Sequence, residues 1–99
     1  MAECKGIKFD SDKLRYDLVP WEAMDDVVAV LNHGARKYSP DNWKIVPEAK
    51  ARYVAAGLRH MVARAKGEIL DPESGLPHTA HAVCCLLFLL WFDKRPKEK

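Results

Sequence analysis

The sequence predicts an all-α domain: a small bundle of three principal helices with an extended N-terminal arm, completed by oligomerisation. Three observations predict it. Apolar residues recur at three- and four-residue steps in two long segments, a third segment is apolar on every side over residues 82–92, and prolines and glycines stand where each segment should start or stop. Ninety-nine residues with 48% hydrophobic and 30% charged content describe one domain, 1–99, with a modest core that a partner subunit would help to stabilise.

Residues 1–19 show no sustained period, and "KFDSDKLRYDLVP" reads as an extended arm closed by Pro20. Leu14, Tyr16 and Leu18 alternate there with Lys13, Arg15 and Asp17. An extended segment would anchor the apolar set on the bundle and turn the basic pair outward or into a neighbouring site. The first helix is expected over 20–38, with Trp21, Met24, Val28, Leu31, Ala35 and Tyr38 as its buried stripe. Glu22, Asp25 and Asp26 crowd its first turn, where the helix dipole favours acids. Ser39, Pro40, Asp41 and Asn42 break the pattern, and Pro47 opens a second helix over 47–66 that Gly67 stops. Val54, Leu58, Met61 and Ala65 form one apolar line on it and Ala49, Tyr53, Ala56 and Ala63 another, so more than one side should be covered. After the loop "GEILDPESGLP", Pro77 starts a third helix over 77–93, which belongs at the centre of a bundle or at a subunit interface. Residues 94–99 form a frayed, charged tail, with Lys94 and Arg95 suited to the C-terminal dipole.

Composition excludes several function classes. A net charge of +2, with bases scattered among acids, does not describe a DNA or RNA surface, though it leaves room for a phosphate-bearing small ligand. Cys4, Cys84 and Cys85 are an odd set without disulfide spacing, which suits a reducing cytoplasm and free thiols packed as small hydrophobes. The opening "MAECKGIKFD" lacks the apolar region of a secretory leader, and residues 82–92 fall short of the roughly 18 apolar residues of a membrane span. There is no glycine-rich phosphate loop, CxxC pair, HExxH motif or nucleophile elbow.

What remains is metal-assisted hydrolysis or no chemistry. His78 and His81, at i and i+3, project from one face of a helix mouth, and the loop before them supplies Glu68, Asp71 and Glu73. With His60 they make a divalent-metal set, His60, Asp71, His78 and His81, of the mixed imidazole and carboxylate kind that borderline metals accept and magnesium does not prefer. The same residues also read as a solvated helix end, and His60 as a core histidine satisfied by one hydrogen bond. Arg59, Arg36, Lys37, Lys8, Lys13 and Arg15 either converge on an anionic ligand or are ordinary surface charge. Tyr38 and Trp43, flanking Asn42, either stack on a nucleobase or cap the bundle.

Read together, "KFDSDKLRYDLVPWEAM", "HGARKYSPDNW", "LRHMVA" and "GEILDPESGLPHTAHAVCCLLFLL" resemble the N-terminal domain of dATP/dGTP diphosphohydrolase, a family of small, largely phage-borne domains. The matching positions are Lys13, Arg15, Asp17, Gly34, Ala35, Lys37, Tyr38, Asn42, Trp43, Arg59, His60, Gly67, Glu68, Asp71, Glu73, Ser74, Gly75, His78 and His81. Asp12 stands where members usually carry Gly, and the paired ExxE and ExxD helices of MazG-like enzymes are absent, although Glu22 and Asp25, and Glu68 and Asp71, keep ExxD spacing. The resemblance implies metal-dependent cleavage of a purine (deoxy)nucleoside triphosphate to monophosphate and pyrophosphate, with Mg²⁺, Mn²⁺ or another transition metal. On that reading Glu68 is the base, and Lys13, Arg15, Lys37, Tyr38, Asn42, Trp43 and Arg59 hold the nucleotide in a homo-oligomer working in the host cytoplasm. The rival expectation is a phage protein that sequesters a nucleotide without hydrolysing it, an anti-defence role in which the histidines donate to phosphate.

Overall fold

Pro20 marks where arm becomes helix in the computed structural model, which describes residues 6–96. Cys4, residues 1–5 of the arm and residues 97–99 of the tail lie outside the described residues. The Pro20 carbonyl accepts from the N–H groups of Ala23 and Met24 at 2.9 and 3.1 Å, opening α1 (Trp21–Lys37). A 3₁₀ turn at Asn42–Ile45 follows. Glu48 then adopts a left-handed backbone, φ 57°, so α2 (Ala49–Ala65) begins two residues after Pro47. The last helix, α3 (His78–Asp93), starts directly after Pro77. Among the described residues there is no strand, only an isolated antiparallel bridge between Leu70 and Pro77. The architecture is a small all-α bundle of three helices.

α3 is the element that both other helices share: it runs along α2, crosses α1 more briefly, and leaves α1 and α2 almost without mutual contact. Its apolar circumference is what lets it serve two neighbours at once. On one side Ala80 and Cys84 meet Val27 and Val30 of α1, edged by Met24, Leu76, Val83 and Phe88. On the other, small residues allow close approach: a Cβ added at Gly57 of α2 would sit 3.4 Å from the Cβ of Cys85. Cys84 donates its S–H to the Val27 carbonyl at 3.4 Å, and burial pushes its thiol pKa up to about 12, so it packs as an inert small hydrophobe. Among the described residues no helix is long and apolar enough to cross a membrane.

The far end of α3 is closed by aromatics. Trp43 lies flat on Phe88, with centroids 4.3 Å apart, and meets Trp91 and Phe92 edge-on at 5.0 and 6.0 Å. Tyr53 adds an edge contact to Phe88 and donates its hydroxyl to the Trp43 carbonyl at 3.3 Å. Arg95 covers Trp91 from the tail side, its guanidinium carbon 3.8 Å from the ring centroid. The aromatic in the loop is therefore a cap on the bundle.

Three expectations about packing are corrected. The inward line of α1 is Val27 and Val30, flanked by Met24, whereas Trp21, Val28, Leu31 and Tyr38 of the expected stripe are exposed. The apolar arc of α1 is wider than one neighbour, and α3 covers only the side centred on Val27. On α2 only the line through Ala49, Tyr53, Ala56 and His60 faces α3, and Val54, Leu58 and Met61 stay bare. The arm does not anchor on the bundle: Leu14, Tyr16 and Leu18 are exposed. A turn closed by Lys13 N–H on the Asp10 carbonyl, followed by a 3₁₀ turn at Tyr16–Leu18, interrupts the alternation that anchoring needs.

Trp43→Ala should lower unfolding stability by about 3 kcal/mol, the usual scale for removing a large packed aromatic. Tyr38→Ala, at an exposed position, should change it by less than about 0.5 kcal/mol. Urea unfolding followed by circular dichroism measures both.

Candidate metal centre

The site is built by the way α2 ends. Gly67, at φ +103°, takes the left-handed position after the helix; its N–H bonds the Arg64 carbonyl at 2.9 Å, and the N–H of Glu68 bonds the Ala63 carbonyl at 3.0 Å. This 5→2 and 6→1 pair is the Schellman arrangement, and it folds Glu68 back beside α2. The loop then closes on itself. Asp71 N–H bonds the Leu76 carbonyl at 2.8 Å, Gly75 N–H bonds the Asp71 carbonyl at 2.7 Å, and Gly75 itself needs a positive φ of 76°. Asp71 Oδ1 accepts from the Glu73 N–H at 3.0 Å, and Ser74 Oγ from the Leu76 N–H at 3.1 Å. The N–H of His78, unpaired within its own helix, bonds the Ile69 carbonyl at 2.8 Å. Glu68, Asp71 and Ser74 are thus delivered to the mouth of α3.

All four histidines of the chain meet there. His60 of α2 stacks on His81 of α3, with centroids 4.5 Å apart and planes 12° from parallel, and tilts against His78 at 5.1 Å. His33 of α1 approaches His81 edge-on at 6.4 Å. One ligand atom from each of His60, Asp71 and His81 lies within 4.8 Å of the other two. Asp71 Oδ2 stands 3.4 Å from His81 Nε2. That is long for a hydrogen bond, but it is about the separation of two ligands bonded tetrahedrally to one ion at roughly 2.1 Å.

His78 has a different situation. It is the one buried polar residue among the described residues, 5% exposed, and both its ring nitrogens are taken. Nε2 lies 2.7 Å from Glu68 Oε1 and Nδ1 lies 2.9 Å from His60 Nδ1. An ionised carboxylate only accepts, so His78 Nε2 carries the proton that Glu68 receives. In neutral His78, Nδ1 is then an acceptor, His60 Nδ1–H donates to it, and His60 Nε2 is left with its lone pair. A carboxylate that orients one imidazole, which orients the next, is the kind of outer support that metal-ligating histidines usually have.

Electrostatics favour neutral rings at His60 and His81. Burial lowers the pKa of His60, with His78 adding to the effect and Asp71 opposing it. Burial likewise lowers that of His81, with His60 adding and Asp71 opposing. Neutral imidazoles offer the lone pairs that a metal needs.

The other residues singled out by sequence are distributed as follows. Arg59 is exposed on α2, where with Leu58, Val62, Ala63, Lys66 and Glu68 it lines an open hollow of about 520 Å³ beside Glu68. Lys37 binds Glu73 at 2.5 Å, which raises the pKa of its ammonium and lowers that of the carboxyl. Tyr38 is exposed beside Lys37, whose Nζ is 5.3 Å from the ring centroid. Asn42 opens the 3₁₀ turn and Trp43 is stacked in the aromatic cap, at the end of α3 away from the histidines. Lys13 and Arg15 stay on the exposed arm, where Arg15 forks onto Asp17 at 2.6 and 3.0 Å. Glu22 and Asp25 are exposed in the first half of α1, roughly two to three turns from His33. Two participants escaped sequence reasoning as site residues. His33 opens the stretch "HGARKYSPDNW" without being one of its matching positions, and only the rarity of histidine in the chain signals it. Ser74 bonds His81 Nε2 through its hydroxyl at 2.8 Å, a contact that depends on how the loop closes.

A helical bundle with imidazoles and a carboxylate gathered at the mouth of its central helix is, by its donor atoms, a candidate metal-binding domain. The chain belongs to the family described as dATP/dGTP diphosphohydrolase, N-terminal, whose model matches residues 3–99. A relative from Salmonella phage PMBT28, named dATP/dGTP diphosphohydrolase, is 36% identical over 92 residues, which make up 92% of this chain and 31% of that protein. The chain therefore spans less than a third of this curated relative. No solved structure matches it significantly.

Lowered His60 and His81 pKa values make stability pH-dependent with a definite sign. Below the ordinary histidine value of 6.5 the unfolded chain binds protons that the folded chain resists, so stability is full above that pH and falls as pH drops toward the folded values. Urea midpoints should be level between pH 8 and 7 and decline below pH 6.5. In a His60→Gln/His81→Gln double variant, the part of that decline due to these rings should vanish.

Proposed function

We propose that this chain binds a divalent cation and, with it, hydrolyses a purine (deoxy)nucleoside triphosphate to the monophosphate and pyrophosphate. The observation that carries this reading is the meeting of His60, Asp71 and His81 ligand atoms within 4.8 Å in a chain of this family. The mixed donor set fits Mn²⁺ or a similar first-row ion better than Mg²⁺, which favours oxygen alone. When bound, such an ion supplies Lewis acidity toward a phosphoryl group and acidifies water. The chain's residues supply the rest. Glu68, half-exposed and anchored on His78, would take a proton from attacking water with its carboxylate. Arg59 and Lys66, at the hollow beside it, would face the negative polyphosphate. Water adds to the α-phosphorus as the bond to the β-phosphate oxygen breaks, and pyrophosphate leaves.

One observation favours a second reading. The chain covers only 31% of the phage relative, so the bond-breaking groups of that protein can lie outside the shared segment. In that case the domain binds and retains a nucleotide without hydrolysing it.

Incubating the purified chain with dATP, dGTP and their ribose counterparts, with Mg²⁺ or Mn²⁺, and resolving products by ion exchange separates these outcomes. Monophosphate and pyrophosphate should form faster with Mn²⁺, and Asp71→Asn, His81→Ala and Glu68→Gln should each reduce the rate by about a hundredfold or more. Intact nucleotide that stays bound in the presence of a chelator supports the second reading, and no binding at all defeats both.

A further inference from the structure

We infer that the outward face of α2 is the contact surface for a second copy of this chain, seated against the acidic first half of that copy's α1. Ala51, Val54, Leu58, Met61 and Ala65 follow one another at steps of three, four, three and four residues, the spacing of a coiled-coil seam. Every one of them is exposed, Leu58 by 60%, and Val62 widens the strip. At 100° per residue this strip covers a little over a quarter of the helix circumference without a single charge, beside the line that packs on α3. It continues into an apolar groove between α2 and α3, lined by Tyr53, Val54, Leu58, Met61, Leu86 and Leu89.

The exposed area leaves room for a partner. The chain exposes 7754 Å², about 2,000 Å² more than the roughly 5,700 Å² expected of a compact monomer of this length. Its radius of gyration is 17.8 Å, against about 13 Å for a compact domain of this size. The exposed arm supplies much of this surplus, and the bare apolar residues of α1, α2 and α3 add to it.

Charge chooses the opposing surface. Apart from Arg59 at the hollow, α2 carries Lys50, Arg52 and Arg64 and no acid, so pairing α2 with a second α2 would set cations against cations. α1 offers Glu22, Asp25 and Asp26, exposed beside the exposed apolar Trp21 and Val28. A two-fold arrangement lets each α2 cover the partner's α1 and makes both contacts at once. Leu58 and Val62 also line the hollow beside Glu68, so the partner would border that hollow, while the association itself rests on the helix faces and not on hydrolysis.

Sedimentation velocity of the whole chain at about 10 µM tests this, with Leu58→Lys and the milder Leu58→Gln as probes. The position is exposed in the single chain, so both should keep the wild-type helical circular dichroism. Wild type should sediment as a dimer, and Leu58→Lys should weaken association by about a hundredfold or more. Asp25→Lys and Arg52→Asp should each weaken it and together recover part of the loss. A monomeric wild type, an assembly that survives Leu58→Lys, or a monomer that begins to associate when residues 1–19 are removed would overturn the inference, the last by placing the chain's own arm on α2.

Discussion

A histidine buried at the mouth of a helix must have both ring nitrogens satisfied, and in this chain that requirement organises everything around His78. Its Nε2 draws in Glu68 from the turn after α2, and its Nδ1 draws in His60 from within α2. Those two bonds join the end of one helix to the start of another across the twelve-residue loop 66–77. They also fix which way the imidazole of His60 points. His81, one turn along α3, is then stacked under His60 with Asp71 and Ser74 at its Nε2. Removing either partner of His78 would leave a buried donor or acceptor unpaired, at a cost of about 1–3 kcal/mol.

The rest of α3 answers to the opposite demand. Below its polar mouth it is apolar on all sides, and it spends that circumference on two neighbours, Val27 and Val30 of α1 and the small residues of α2. The aromatic stack of Trp43, Phe88, Trp91 and Phe92 closes the far end. Polar chemistry and packing are thereby separated along a single helix, histidines at one end and aromatics at the other. Three helices cannot cover one another completely at this length, and the surplus apolar surface remains on the outer faces of α1 and α2.

Much of this is legible in the residues themselves. Proline and glycine positions and the three- and four-residue steps mark three helices, and the unbroken apolar run identifies the central one. The spacing of His78 and His81 and the acids before them identify the mouth. Periodicity is weaker at choosing sides. Val27, Val28, Val30 and Leu31 are all apolar, so only the crossing with α3 decides that the first and third are buried. α2 has two apolar lines for the same reason, and only one of them meets a neighbour within the chain. The difference between His78, which has no free nitrogen, and His60 and His81, which share a carboxylate neighbour, depends on the closure of the loop over residues 69–78. His33 joins the cluster through a helix crossing that no local pattern encodes.

The proposed chemistry requires His60, Asp71 and His81 to act as one set of ligands. Isothermal titration of the chain with Mn²⁺ and with Mg²⁺ measures this without any substrate. A single site that prefers Mn²⁺ by about tenfold or more, that disappears in His60→Ala and His81→Ala and that persists in His33→Ala is the predicted result. Absence of Mn²⁺ binding, or binding that His60→Ala and His81→Ala leave unchanged, would contradict it.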